Sequence, residues 1–336
     1  MVVKKALIKE EFDRLRLFLD AYDLKYDEKI TESLYVEADG RIIATASRYG
    51  NLIEAVAVSR EHRGENLAVS LISELLASMR KEGIFYYQVY TKAEYLPVFE
   101  SMGFRFVEKT EKVAILEGGE GDIETEIGKI KKRVEGKYRI KLNKTDVGAI
   151  VVNCNPMTKG HFQLIVEAAA KHEIFLVFVV EEERSFFTYP ERMKLVKAAL
   201  SGFPNIMVLP STKYVVSSLT FPSYFLKSID EAEKEHAKLD AMIFRDYFMR
   251  ILNIRKRYIG SETEPVMTTY NDLLKKYLKE SLVLRERFKY HKDVISASKV
   301  RQLITEGHIT EASELVPENI KDMFMEMAKK KYEKRI

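Results

Sequence analysis

Hydrophobic residues follow two different rhythms along this chain. From Val147 to Asn153 the sequence is nearly continuous in apolar residues, the mark of a strand buried on both faces. Gly160 to Lys171 then places apolar side chains at helical spacing. The alternation continues with a strand at Ile174 to Val180, a helix at Pro190 to Leu200 and a strand at Ile206 to Leu209. Pro190 suits the first helical position, where its missing N–H costs nothing, and Glu191 lies favourably in the first turn. This strand and helix succession predicts a doubly wound parallel sheet with right-handed crossovers.

The leading third reads differently. A strand near Val2 to Ile8 and a helix from about Glu10 to Tyr22 precede strands at Leu34 to Ala38, Arg41 to Tyr49 and Asn51 to Val58. Asp39-Gly40 supplies a tight hairpin turn. An amphipathic helix from about Ala68 to Glu82 follows, then a strand Phe85 to Val89, a short helix Tyr95 to Glu100, and strands around Phe104 to Val107 and Val113 to Leu116. The pattern is a β-meander flanked by helices. Gly118-Gly119-Glu120-Gly121 interrupts the chain, and a basic, Gly-dotted segment follows, with Lys129, Lys131, Lys132, Arg133, Lys137, Arg139, Lys141 and Lys144. A short helix over 123–134 is expected inside it. The organisation expected is therefore a first domain over residues 1–118, a basic linker over 119–145 and a second domain over 146–336.

A length of 336 residues supports this division, since one domain takes roughly 100 to 200. The 55 basic and 51 acidic residues nearly cancel, which is not the footprint of a dedicated nucleic-acid binder. Cys154 is the only cysteine and has no partner for a disulfide. No apolar run approaches the ~18 residues of a membrane span, and no signal-peptide core follows the N-terminal lysines. A cytoplasmic protein is expected. His62, His172, His236, His291 and His308 show no metal-ligand spacing, so no protein-bound metal is assigned.

The chemistry-bearing stretch is Asn153-Cys154-Asn155-Pro156-Met157-Thr158-Lys159-Gly160-His161, between the first buried strand and the helix after it. In an open α/β sheet ligands sit at such a place, and a helix start with unpaired N–H groups favours an anion. Gly160 lets a phosphate approach the main chain, and His161 can donate to oxygens that gain charge during transfer. Downstream, Ile295-Ser296-Ala297-Ser298-Lys299-Val300-Arg301 opens another amphipathic helix. Serine there is an N-cap signal, and arginine offers planar, bidentate phosphate recognition. Two such helix starts could clamp the two ends of one triphosphate.

These residues resemble the nucleotidyltransferase superfamily, marked by an H/T-x-G-H turn and a later I-S-x-S-x-x-R element. The resemblance implies a Rossmann-like second domain in which Thr158, His161 and Arg301 are catalytic, while Asn155, Gly160, Ser296 and Ser298 bind ATP. Further stretches, Phe187 to Arg192, Lys213 to Leu226 and Ile259 to Pro265, are similar to the citrate lyase ligase family. That resemblance implies adenylylation of acetate by ATP with Mg2+, release of pyrophosphate, and acetyl transfer to the prosthetic-group thiol of the acyl carrier subunit of citrate lyase. It adds Arg192 and Gly260 to the ATP-binding set and gives Ser217 and Ser218 a weaker claim. An adenylyl- or cytidylyltransferase with a stable nucleotide product, fused to an independent acetyltransferase, is the alternative.

In the leading domain, Arg63-Gly64-Glu65-Asn66-Leu67-Ala68 before a long helix resembles the acyl-CoA pyrophosphate turn of GNAT acetyltransferases. The resemblance implies a mixed sheet with flanking helices, in which Arg63, Gly64, Asn66 and Ala68 receive a CoA-like arm. Asn66 stands where glycine is usual, but asparagine tolerates left-handed backbone well. Tyr95 and Glu54 are the only acid/base candidates, and neither has a partner visible in sequence.

Overall fold

The computed structural model describes residues 2–182, 185–215, 226, 228–261, 265–286, 289–290 and 293–333. The chain divides into two compact units, Met1–Ile123 with Phe221–Leu239 and Glu124–Thr220 with Asp240–Ile336.

The first unit opens with β1 (Val3–Lys5) and α1 (Lys9–Asp20), followed by the meander β2 (Glu32–Ala38), β3 (Arg41–Tyr49) and β4 (Leu52–Val58). The β2–β3 turn carries positive φ at both Asp39 (49°) and Gly40 (73°), the backbone a right-handed hairpin twist requires. Next come α2 (Leu67–Lys81), β5 (Tyr86–Lys92), α3 (Leu96–Ser101), β6 (Arg105–Lys109) and β7 (Val113–Gly119). The seven strands lie in the order β1-β2-β3-β4-β5-β7-β6. β4 and β5 form the one parallel pair of this sheet, bridged only at Leu52–Gln88 and Ile53–Val89 although both strands run on to Val58 and Lys92. Leu67, Leu71, Leu75 and Met79 repeat at helical spacing along α2 and pack with Val36, Ile53, Val89 and Leu116 of the sheet.

The second unit begins along α4 (Ile123–Tyr138), a turn longer than the helix expected over 123–134. Its Ile127, Ile130 and Val134 are buried. Then come β8 (Val147–Val152), α5 (Lys159–Ala169), β9 (Ile174–Val179), α6 (Tyr189–Ala199) and β10 (Ile206–Pro210). α7 (Ile229–Ile243) belongs to the first unit as far as Leu239. It leads through a π-helical turn, Phe244–Met249, and α8 (Arg250–Leu252) into β11 (Ile254–Gly260). The remainder is α9 (Pro265–Leu278), β12 (Leu282–Arg285), the short pair β13 (Lys289–Tyr290) and β14 (Asp293–Val294), α10 (Ala297–Thr305), α11 (Ile309–Ser313) and α12 (Lys321–Glu333).

The main sheet has the order β10-β9-β8-β11-β12 with every neighbour parallel. The doubly wound arrangement expected from the apolar runs is therefore present. β8 is central: the chain winds outward through β9 and β10, then returns to β8's other side as β11. That reversal is a topological switch point, where the loops at the strand C-termini leave a crevice. α5, α6, α10 and α12 share one core, which includes Ile165, Leu195, Val300 and Phe324.

One carboxyl of the first unit is held against its nature. Glu54 on β4 is 3% exposed, and burial, with Asp27 adding repulsion against the pull of Lys29, pushes it up to about 7. The folded chain thus binds this proton more tightly than the unfolded chain. Stability is undiminished below the ordinary carboxyl range and declines as pH rises toward 7, by about 3 kcal/mol in all. Glu54→Gln is expected to abolish that decline. Urea unfolding of the first unit at about pH 5 and about pH 8 measures it, and an unchanged pH dependence in the variant would refute the assignment.

Candidate active site

The turn between β8 and α5 is built from local hydrogen bonds. Thr158 caps α5: its hydroxyl accepts the His161 N–H at 3.3 Å, and its own backbone N–H donates to His161 Nδ1 at 3.2 Å. Thr158 Oγ1 also lies 2.8 Å from that Nδ1. Since Nδ1 accepts a backbone donor, the neutral imidazole carries its proton on Nε2. Capping and phosphate binding are therefore compatible at these two residues, because the cap consumes Nδ1 and presets Nε2–H as the ring's donor. Lys159 N–H goes to the Leu315 carbonyl at 2.9 Å, which leaves Gly160 N–H without an acceptor among the described residues. The Asn155–Pro156 peptide is cis and Cys154 has φ 48°. Burial pushes the Cys154 thiol up to about 12, so it is no nucleophile at neutral pH.

The distant serine element meets this turn. Ser296 caps α10, accepting from Lys299 N–H at 3.1 Å. A Cβ placed on Gly160 would lie 3.7 Å from the Ile295 carbonyl oxygen and 3.7 Å from Thr158 Oγ1, which are ordinary contact distances. The open side of Gly160 thus faces the second motif. Arg301 Nη1 donates to the Asn155 carbonyl at 2.7 Å, and Nη2 to Ser298 Oγ at 2.9 Å. Half-buried, the Arg301 guanidinium is drawn below its usual pKa by desolvation. Thr158, Gly160, His161, Ser296, Ser298 and Arg301 are therefore assembled at one place, on two helix starts beside the switch point.

Asn155 and Arg192 hold the assembly together. Asn155 Oδ1 accepts Phe187 N–H at 2.9 Å, so both its oxygens are engaged. Arg192, expected at the nucleotide, is completely buried. Its Nη1 reaches the Asn153 carbonyl (2.8 Å), Nη2 the Glu182 carbonyl (2.8 Å) and Nε the Phe187 carbonyl (3.2 Å). That corrects its role, because a guanidinium spent on three main-chain oxygens positions the turns after β8 and β9. Gly260 ends β11, next to β8; its carbonyl accepts from Asn271 at 3.1 Å, and its missing side chain faces Leu164. Ser217, Ser218 and Glu262 lie outside the described residues.

The same strand edge carries buried polar groups that sequence reasoning passed over. Glu182, Ser211 and Thr212 are at most 5% exposed, directly after β9 and β10. Glu181 N–H donates to Ser211 Oγ at 3.2 Å, and Thr212 N–H to Glu181 Oε1 at 3.3 Å, with Thr212 at φ 72°. Polar residues immediately following a fully apolar strand are the signal that could have found them. Among the described residues, no group of three or more His, Cys, Asp or Glu could hold a metal ion, and no helix is long and apolar enough to cross a membrane.

In the first unit Arg63, Gly64, Glu65 and Asn66 are exposed, Leu67 is buried in the core and Ala68 is half-buried. Gly64 has φ 93° and Asn66 is left-handed, at φ 57° and ψ 19°, with no side-chain cap on α2. Asparagine thus takes the backbone that glycine usually supplies. Tyr95 stands 38% exposed at the start of α3, and Glu54 is buried.

Comparison with known proteins agrees with both halves. Residues 147–324 match the citrate lyase ligase C-terminal domain, and residues 9–116 match the acetyltransferase (GNAT) domain. The chain is 32% identical to citrate (pro-3S)-lyase ligase of Escherichia coli strain K12, over 89% of this chain and 86% of that protein. It is 28% identical to the Haemophilus influenzae enzyme of the same name, over 90% and 92%, and 26% identical to that of Klebsiella pneumoniae, over 97% and 95%. With its C-terminal match spanning more than half the chain and these likenesses running through both units, the protein belongs to the citrate lyase ligase family, a family of enzymes.

Proposed function

We propose that the chain is an ATP-dependent ligase that adenylylates acetate and passes the acetyl group to the prosthetic-group thiol of the acyl carrier subunit of citrate lyase. The observation that carries this reading is the meeting of two capped helix starts, α5 and α10, at the switch point of a parallel sheet. An acetate oxygen attacks the α-phosphorus of ATP in line, the bond to the β-phosphate oxygen breaks, and pyrophosphate leaves. The carrier thiolate then attacks the acetyl carbonyl and AMP departs. No covalent enzyme intermediate is needed, so catalysis is positioning and charge stabilisation.

In this scheme His161 Nε2–H and Thr158 stabilise the charge that grows on the phosphate oxygens. Ser296, Ser298 and Arg301 hold the outer phosphates, with the backbone N–H of Gly160 as a further donor. Gly260, at the end of the neighbouring strand, lies toward the nucleoside. Mg2+ would enter with ATP and would neutralise phosphate charge, held by substrate and water rather than by a carboxylate cage of this chain. The first unit takes the CoA-like arm of the carrier at the Arg63, Gly64, Asn66 and Ala68 turn, where a left-handed Asn66 leaves the helix start uncapped.

Labelled pyrophosphate should exchange into ATP only when acetate is present. Exchange without any acid, with CTP in preference to ATP, or only with a phosphorylated acceptor would instead indicate a transferase with a stable nucleotide product. His161→Ala should cost about 3–4 kcal/mol of transition-state stabilisation, roughly 10²- to 10³-fold in kcat; unchanged turnover would remove His161 from the mechanism. Arg192→Met should instead show its effect on stability. Leaving buried carbonyls unpaired costs about 1–3 kcal/mol each, so a urea unfolding free energy equal to that of the wild type would return Arg192 to a ligand-contacting role.

A further inference from the structure

The positive charge of this protein is concentrated where no reaction step uses it. Residues 129–144 hold eight basic side chains and one carboxylate, a net of +7, whereas the whole chain carries +4 and the other 320 residues are therefore net −3. α4 turns Ile127, Ile130 and Val134 inward, and Lys129, Lys132, Arg133 and Lys137 stand exposed on its opposite face. Arg139, Lys141 and Lys144 extend the exposed row into the turn that follows. Lys129 pairs with Glu126 at 3.3 Å; the others form no ion pair among the described residues.

The row is also held in place. Glu135 accepts the Leu142 N–H at 3.0 Å, and Asn253 Nδ2 donates to the carbonyls of Leu142 (2.7 Å) and Thr145 (3.2 Å). Fixed like charges without counter-charges repel one another, a standing cost that an acidic partner relieves.

We propose that this face of α4 and its following turn is the docking surface for an acidic protein, which on the function proposed above is the acyl carrier subunit. From Lys129 to Lys137 the helix advances about 12 Å, a match for one acidic helix or loop rather than for a long polyanion. The face has no apolar side chain to sink into a lipid surface. Tyr138, the aromatic residue beside it, has a buried hydroxyl and is no stacking platform for bases. The turn leads directly into β8, whose far end carries the Thr158 motif about 20 Å away. A partner docked here must present its thiol on a long arm, which is how a carrier with a prosthetic group presents it.

The test uses the full chain with Lys132, Arg133 and Lys137 all changed to Glu, and a second variant with all three changed to Gln. Acetate-dependent pyrophosphate exchange, which involves no carrier, should stay within about twofold of wild type and certifies that the second unit is folded. With deacetylated carrier subunit as the probe, kcat/KM for its acetylation should fall at least roughly tenfold in the Glu variant and less in the Gln variant. The wild-type value should drop as salt rises, and the Glu variant should be nearly insensitive to salt. Unchanged carrier acetylation with intact exchange would overturn the docking surface and leave the ligase reading standing. Absence of exchange in the wild type would sink the ligase reading itself; carrier binding measured directly by calorimetry then still decides the surface. Loss of binding to RNA or to anionic vesicles, with carrier binding preserved, would also overturn the proposal.

Discussion

Asn155 is the point on which the second unit turns. Its side-chain oxygen takes the Phe187 N–H, and its main-chain oxygen takes the guanidinium of Arg301, 146 residues away. Arg192 completes the constraint from below by drawing the carbonyls of Asn153, Glu182 and Phe187 onto one buried cation. Hydrogen bonds to a charged donor are stronger than neutral ones, and leaving such carbonyls unpaired in the interior is expensive. The turn after β8 therefore has one geometry in which all these groups are satisfied. Preorganisation of this kind matters for phosphoryl chemistry, where donors that are already aimed need not reorganise as charge develops.

The same economy governs the start of α5. Thr158 and His161 cap α5 reciprocally, and that cap determines which ring nitrogen bears the proton. Structure and chemistry are not alternatives at this position, since a helix that starts correctly also presents a correctly protonated imidazole. At α10 the Ser296 hydroxyl accepts the capping N–H and keeps its own proton to donate, while Ser298 touches Arg301.

Much of this was legible in the residues, for identifiable reasons. The run from Val147 to Asn153 had to be a doubly buried strand, because no alternation offers a solvent face, and β8 is the central strand. Asp39-Gly40 made a hairpin as its φ preferences require. The role of Arg192 was not legible. An arginine in the first turn of a helix is equally suited to solvent or phosphate, and only the convergence of three loops shows that it is consumed internally. The neighbour on the open side of Gly160, Ile295, was not legible for a similar reason, being 135 positions away in sequence. Glu54 stood out only as an acid/base candidate; its burial depends on the packing around β4, which local pattern does not encode. α7 is as amphipathic as α5, so its helical spacing was present in the sequence, but its dense charged residues left it unread.

α7 has one more implication. Its first part belongs to the compact unit formed by the N-terminal residues, although it is encoded well inside the stretch that forms the second unit. Lys112 and Thr110, at the β6–β7 turn, grip Glu231 and Glu235 of that helix. The two halves are therefore interleaved in sequence and not strung end to end. A gene cut at the junction near residue 123 would give a first piece lacking a helix it normally packs, and a second piece carrying that helix with its grip removed. Evolutionary exchange of either half as a ready-made cassette would meet the same obstacle.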